Sequence, residues 1–336
     1  MEKKLIHIVG TRPNYIKLYS TYKSLKKNFE NIVIDTNQHY DDKMSKIFFL
    51  ELGLPKPKYN LNIGSGLHGY QTGRMIEEIE KIIINENPYG VVIYGDVNSS
   101  LSGAISSVKL KIPIFHIEAG ARSFDRDMPE EINRVLIDQI STINFCIQET
   151  HVENLKKENI YNGKLVGNVM ADAVHHFKDK LKKPTNFKYY LCTLHRPFNV
   201  DDPDKLYKIL TKFENWSHKV IFPTHPRVKS KINNKFKNII FIDPLGYVDM
   251  LSHIKYSEGV ISDSGGIQCE TTILKKPIQT VRPSTEHTIT LNMNNTLVDF
   301  TTLNENNFHI IDYDIPEIWD GSSSEKIKDI ILNHEK

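Results

Sequence analysis

The 336-residue sequence predicts an α/β protein built from two Rossmann-like, doubly wound domains. Short apolar runs alternate with stretches whose apolar residues recur at helical spacing, the pattern of a parallel sheet flanked by helices. The alternation passes through a lysine- and proline-bearing stretch, KDKLKKPTNFK, and then restarts. The length also suits two cores better than one.

Leu5–Val9 is the first strand and leads through GTRPNYIK into a helix ending near Lys27; Asn31–Thr36 is the second strand. Helical spacing over Gln71–Asn85 precedes a strand at Val91–Tyr94, the turn GDVNSS and a helix near Leu101–Lys109. Ile112–Ile117 and Ile143–Ile147 are further strands. After the linker come strand Tyr189–Thr193, a helix from Pro203 to about Phe213, and strands Lys219–Pro223 and Ile239–Ile242. A helix near Tyr247–Lys255, strand Gly259–Ser262 and a helix opening at Gly265 follow. The last segment, Ser323–Asn333, reads as a helix capped by the serines before Glu325. The expected domains are residues 1–170 and 171–318, with a C-terminal helical segment, 319–336, packing back on the first. Doubly wound sheets bind ligands beyond the carboxyl ends of their strands, which predicts an active-site cleft between the domains.

Composition narrows the partners. Hydrophobic content of 39% and charged content of 25% are those of a soluble globular chain, and 43 basic against 41 acidic residues leave a net charge of +2. No basic block stands out, so neither nucleic acid nor a membrane surface is an expected partner. Cys146, Cys192 and Cys269 form no CxxC pair, which argues against a disulfide framework or a zinc site. MEKKLIHIVG reads as a first strand rather than a signal peptide, and no apolar run approaches the roughly 18 residues of a membrane span. A cytoplasmic location is expected.

The motifs gather at predicted strand ends. In SDSGGIQCE, Ser264, Gly265 and Gly266 open a helix where bare amides and the helix dipole favour an anion, and Glu270 is spaced to meet ribose hydroxyls. A tight turn would explain the glycines alone, but not the whole pattern. In GTRPNYIK, turn and helix formation account for Gly10 and Pro13, whereas the donor fork of Arg12 suits a diphosphate. GDVNSS and HIEAGARS place Asp96 and Glu118 just past buried strands, and DMPEEINR adds Glu130 and Glu131 at a helix start. One of that last pair is a helix-terminal acid of the ordinary kind. Acids converging on one sheet end suit proton removal from one face of a ring and its return to the other. CTLHRPFN and FPTHPR supply His195, Arg196, His225 and Arg227 beyond strands of the second domain, for diphosphate binding and proton transfer. NQHYDD reads as a polar loop, and His175, His176 and His253 as surface or helix residues.

Taken in order, GTRP, QHYD, GD, HIEAGAR, PEEINR, LVGN, HR, SDSGGIQCE and a late TE segment resemble the UDP-N-acetylglucosamine 2-epimerase family over essentially the whole chain. The resemblance implies a glycosyltransferase-B-like fold, no metal, no other cofactor, and a homodimer. It implies anti-elimination of UDP from a UDP-2-acetamido sugar, giving a 2-acetamidoglycal, and re-addition with the carbon-2 proton on the other face. It makes Asp96, Glu118 and Glu130 the acid/base residues and His195 the aid to UDP departure. Arg12, Arg196, His225, Ser264, Gly265, Gly266, Glu270, Thr285 and Glu286 become substrate and UDP contacts. In several bacterial members a second UDP-GlcNAc binds as activator, and Gln38, His39, Arg74 and His225 match positions used there. Tyr40–Asp41 stand where those members carry a basic residue and Gln, which argues against obligatory activation. Other departures are Asn14 for an acid, Phe198 for a Glu, and His287–Thr288 for Arg-Pro. They point to a variant substrate such as a 6-deoxy or uronic UDP-2-acetamido sugar. A hydrolysing relative that releases free ManNAc and a non-catalytic UDP-sugar sensor stay open as alternatives. A glycosyltransferase would need an acceptor groove or a membrane-facing helix, and the sequence has neither.

Overall fold

The computed structural model describes residues 3–37, 48–224, 228, 231–232, 236–308 and 312–334. Gln38, His39, His225 and Arg227 lie outside these residues. The chain divides into two compact units, residues 1–173 with 316–336, and residues 174–315.

The first unit carries a seven-stranded parallel sheet in the order β3-β2-β1-β4-β5-β6-β7. Its strands are β1 Lys4–Val9, β2 Glu30–Asp35, β3 Tyr59–Asn60, β4 Gly90–Tyr94, β5 Ile114–Ile117, β6 Ile143–Cys146 and β7 Gly163–Leu165. The central strands β1, β4 and β5 are almost wholly buried, as a sheet covered by helices on both faces requires. The order reverses between β1 and β4, so the carboxyl ends of these two strands form the switch point where such sheets place ligands.

One polar chain runs through this core. Asn31 Nδ2 donates to the Phe29 carbonyl, which turns Oδ1 toward His7 Nε2 at 2.7 Å. His7 Nδ1 lies 2.7 Å from the Tyr94 hydroxyl, which lies 2.6 Å from Thr21 Oγ1. Burial pushes the His7 pKa down to about 4, so the ring is neutral: Nε2 donates to Asn31 and Nδ1 accepts from Tyr94.

The second unit has a six-stranded parallel sheet in the order β10-β9-β8-β11-β12-β13. Its strands are β8 Tyr189–Thr193, β9 Lys219–Pro223, β10 Ile239–Ile242, β11 Gly259–Ser262, β12 Ile278–Val281 and β13 Asn295–Val298. The helix Pro203–Phe213 buries Leu206, Ile209, Leu210 and Phe213, the i, i+3, i+4, i+7 face expected of an amphipathic helix. Its start is capped by Asp202, which accepts from the amides of Asp204 and Lys205.

The helix Val169–Phe177 spans the division between the units. One local expectation needs correcting. The final helix, Ser323–Leu332, is not capped by its serines: the Asp172 carboxylate accepts from the amides of Ser323 at 3.1 Å and Ser324 at 2.6 Å. A carboxylate near a helix N-terminus gains from the dipole as well as from the hydrogen bonds, and a serine hydroxyl lacks that charge. This helix packs against Arg12–Leu25 within the first unit.

Candidate active site

The first group of candidate residues forms where β1, β4 and β5 end. A side chain on Gly10 would place its Cβ 2.2 Å from Ser99 Oγ and 2.3 Å from Thr36 Oγ1, so only glycine fits between them. Asn14 is buried and ties this turn to the next strand. Its Oδ1 accepts from Gly10 N at 3.3 Å and Thr11 Oγ1 at 3.0 Å, while Nδ2 donates to the Tyr94 carbonyl at 3.0 Å. An ionised acid has no proton for that last bond, so Asn14 in place of an acid has a local physical role. Arg12 opens the helix Arg12–Leu25, with its guanidinium 5.2 Å from the centre of the Phe48 ring.

The register pairs Tyr94 with Ile117, so Gly95–Asp96 and Glu118 leave the sheet side by side. Asp96 Oδ2 lies 2.5 Å from Arg134, whose guanidinium also holds Glu131 at 2.9 Å. Glu118 takes φ of 69°, a left-handed conformation that side chains other than glycine rarely adopt. Its Oε2 lies 2.6 Å from the buried Lys17 ammonium. Beneath these acids His116 lies 2.9 Å from the Gly95 carbonyl through Nε2 and 2.8 Å from Asp138 through Nδ1. Burial pushes the Asp138 carboxyl up, but the hydrogen bond and charge of His116 and the Arg122 guanidinium, 2.7 Å away, more than reverse this.

Glu130 and Glu131 part company. Glu131 is buried and accepts from Ser123 N, Ser123 Oγ, Phe124 N and Arg134. Burial raises its pKa, and these donors pull it below the usual carboxylate value. Glu130 is half-buried in the first turn of the helix Pro129–Ile140. Glu131 is thus the structural member, and Glu130 keeps its candidacy for chemistry.

The second group forms where β8, β11 and β12 end. Thr193 pairs with Ser262 in the ladder, and their hydroxyls lie 2.8 Å apart, so His195 and Asp263 emerge as neighbours. His195 Nδ1 lies 2.9 Å from Asp263 Oδ1. Arg196 donates its amide to Asp263 Oδ2 and its Nε to the Asp263 carbonyl. The helix Gly265–Ile273 begins at Ser264, and no side chain caps it. A Cβ on Gly265 would lie 2.9 Å from Glu286 Oε1 and 3.1 Å from His287 Nε2, which brings the TE segment to this helix start. Glu286 is paired with the buried Arg282 at 2.8 Å, and the Thr285 hydroxyl donates to Gln268 Oε1 at 2.7 Å. Glu270 is buried one and a half turns into the helix.

Among the described residues, Arg74 makes no ion pair or hydrogen bond with the candidates of either group. It is an exposed helix residue paired with Glu77 at 3.1 Å. Sequence reasoning missed Lys17, Arg134, Asp263 and Arg282. Each is the charged partner of a recognised residue; Lys17, Arg134 and Asp263 meet theirs only across the sheet, whereas Arg282 lies four residues from Glu286. Among the described residues, no group of three or more His, Cys, Asp or Glu side chains could hold a metal ion.

Two parallel-sheet units, each with its charged side chains at the carboxyl ends of its strands, define a Rossmann-like protein of the glycosyltransferase-B type. The glycosyltransferase SnogD from Streptomyces nogalater shares this fold at 10% identity, with a TM-score of 0.55 over 99% of this chain and 96% of that one. The family model for UDP-N-acetylglucosamine 2-epimerase matches residues 23–332, and the chain is an enzyme of that family. A UDP-N-acetylglucosamine 2-epimerase from Methanococcus maripaludis is 46% identical over 320 residues, 87% of this chain and 86% of the relative. The UDP-2,3-diacetamido-2,3-dideoxy-D-glucuronate 2-epimerase of Pseudomonas aeruginosa is 42% identical over 299 residues, 84% of each chain. The Methanocaldococcus jannaschii UDP-GlcNAc 2-epimerase, crystallised with UDP-GlcNAc and UDP, superposes with a TM-score of 0.81 at 40% identity, covering 99% of this chain and 93% of that one.

Proposed function

We propose that the chain interconverts UDP-GlcNAc and UDP-ManNAc, or a closely related UDP-2-acetamido sugar pair, for a cell-surface polysaccharide precursor. The observation that carries this is the clustering of Asp96 and Glu118 at one sheet end, each held by a buried cation. Loss of UDP leaves positive charge developing at carbon 1, which acidifies the carbon-2 hydrogen for a neighbouring carboxylate. Asp96, Glu118 and Glu130 are the acid/base set. The second unit takes the nucleotide: the amides at Ser264–Gly266 and the side chains of His195 and Arg196 receive the diphosphate, and Glu270 the ribose. Arg12 adds a cation for the departing phosphate. Neither a metal nor a redox cofactor enters this scheme.

The test is a proton NMR time course with a panel of UDP-2-acetamido sugars. A UDP-linked C2 epimer should accumulate. Free aminosugar with UDP would instead mark a hydrolysing enzyme, and no conversion of any substrate would mark a UDP-sugar sensor. The panel should include 2,3-diacetamido uronate and 6-deoxy substrates. The Pseudomonas aeruginosa relative and the replacements at Asn14, Phe198 and His287 favour a variant sugar. The exposed pairing of Arg74 with Glu77 suits a catalyst without obligatory activation, so the reverse reaction should start without a lag. The apolar side chains of Leu67, Tyr70, Ile132 and Leu136 are exposed, as a homodimer contact would need, and sedimentation should report a dimer. No helix among the described residues is long and apolar enough to cross a membrane, in keeping with a proposed cytoplasmic site of action.

A further inference from the structure

Asp263 is a heavily hydrogen-bonded carboxylate at the second sheet end. It has no solvent exposure, yet it sits between Ser262, the last residue of β11, and Ser264, the residue before the helix Gly265–Ile273. The His195 amide lies 3.2 Å from Oδ1 and 3.1 Å from Oδ2; Oδ2 also accepts from the Arg196 amide at 3.0 Å and Asn199 Nδ2 at 3.0 Å. The remaining contact, 2.9 Å, is His195 Nδ1 to Oδ1. Burial pushes the Asp263 carboxyl up, and the hydrogen bonds from His195, Asn199 and the Arg196 amide bring it below its ordinary value of 3.8. The group is therefore a carboxylate, and a carboxylate only accepts. His195 Nδ1 must carry a proton, and the ring geometry turns Nε2 away from the acid, on a side chain that is 45% exposed.

We infer that Asp263 is a positioning residue: it fixes the tautomer and aim of His195 so that Nε2 carries the proton transferred to the departing diphosphate. This rests on the 2-epimerase reading. In the step, the bond between carbon 1 and the β-phosphate oxygen breaks and its electron pair stays on that oxygen. The imidazolium Nε2–H proton passes to the same oxygen, and His195 ends neutral with its proton on Nδ1. Asp263 stays unprotonated throughout, opposite the ring's positive charge before transfer. Asp263 also joins β11 to the helix whose amides are offered to phosphate, so the proton donor is held beside the anion site.

Asp263→Asn keeps the shape and removes the charge. The kcat should fall about 10²–10⁴-fold, the range of a positioned general acid. UDP affinity by calorimetry should stay within about threefold, equivalent to less than about 1 kcal/mol. The alkaline limb of the kcat profile should move to lower pH, since the imidazolium has lost its counter-charge. In a His195→Gln background the same substitution should cost little more, because the two residues act as a unit. An equal loss in both backgrounds would reduce Asp263 to a loop anchor and overturn the inference. Nitrogen-15 NMR of the parent protein reads the tautomer without any turnover, and so stands even if no sugar is epimerised. A neutral His195 protonated at Nδ1 is the expected result, and one protonated at Nε2 contradicts the inference whatever the variants do.

Discussion

Where the first sheet ends, carboxylates stand against cations: Asp96 with Arg134, Glu118 with Lys17, and Asp138 with Arg122. Where the second sheet ends, the helix start at Gly265 offers amides, and the acids Asp263 and Glu286 are spent on holding His195 and Arg282. Both regions come from the same βα architecture, yet one presents acids and the other presents donors for an anion. Elimination of UDP needs both kinds of surface. Proton removal at carbon 2 calls for a base, and the leaving diphosphate calls for positive charge and hydrogen-bond donors. On the proposed reading the carbon-2 acids belong to the first unit, while UDP binding and the proton donor His195 belong to the second. Substitution of those acids should therefore spare UDP binding, and substitution of the helix start at Gly265 should not.

The largest effects are expected at the first sheet end. Asp96→Asn, Glu118→Gln and Glu130→Gln are nearly isosteric, and at least two should lose about 10²–10⁴-fold in kcat. UDP affinity by calorimetry should be unchanged in all three. If all three keep turning over, the acid/base set lies elsewhere and this division of roles fails.

Next in size is the nucleotide side. Gly265→Val would push side-chain atoms against Glu286 and His287, already 2.9 and 3.1 Å from the modest Cβ position. It would also crowd the helix amides. With Glu270→Ala it should weaken UDP binding by about tenfold or more, about 1.4 kcal/mol, while circular dichroism stays that of the parent. Parent-like UDP binding in both variants would remove this loop from the site.

A third substitution tests the scaffold of the acid end and should leave UDP binding alone. Tyr94→Phe deprives His7 Nδ1 and Thr21 Oγ1 of their shared partner in a fully buried place. Urea unfolding should show a loss of about 1–3 kcal/mol. A neutral result would mean the chain of polar groups relaxes when cut.

How much of this was legible before the fold was known depended on what each residue touches. Strands Tyr189–Thr193, Lys219–Pro223 and Gly259–Ser262 could be placed to the residue because their apolar side chains announce burial. Ile278–Val281 and Asn295–Val298 could not, because Gln279 and Asn295 look like loop residues. Both are buried and satisfied: Gln279 donates to the Asn304 carbonyl, and Asn295 accepts from Thr280. The acids Asp96 and Glu118 were legible from their place just after apolar runs. Lys17 and Arg134 were not recognised, since each lies several elements along the chain from its partner and meets it only through the parallel register. Asp172 was hidden for the same reason, far along the chain from the amides it caps.

The smallest effect is expected at Glu86, the last residue of the helix His68–Glu86 and a member of neither group. Burial alone would raise its pKa, but hydrogen bonds from Lys4, Lys58 and Tyr59 bring it from 4.5 to about 2. A depressed folded pKa adds stability that is fully present above 4.5 and is lost as the pH falls through about 2. Glu86→Gln should therefore flatten the stability profile in that acid window, read as urea midpoints against pH, and leave kcat unaltered. An unchanged acid slope would show that other carboxylates dominate there.

The central claim, that acids of the first unit move the carbon-2 proton while the second unit holds UDP, is tested most directly in deuterated water. An accepted UDP-2-acetamido sugar is incubated with the enzyme, and its pool is read by mass spectrometry and proton NMR. Deuterium at carbon 2 of a UDP-linked epimer is the expected result, with traces of UDP and 2-acetamidoglycal on long incubation. A carbon-2 hydrogen that never exchanges, in any sugar the protein binds, would contradict the account.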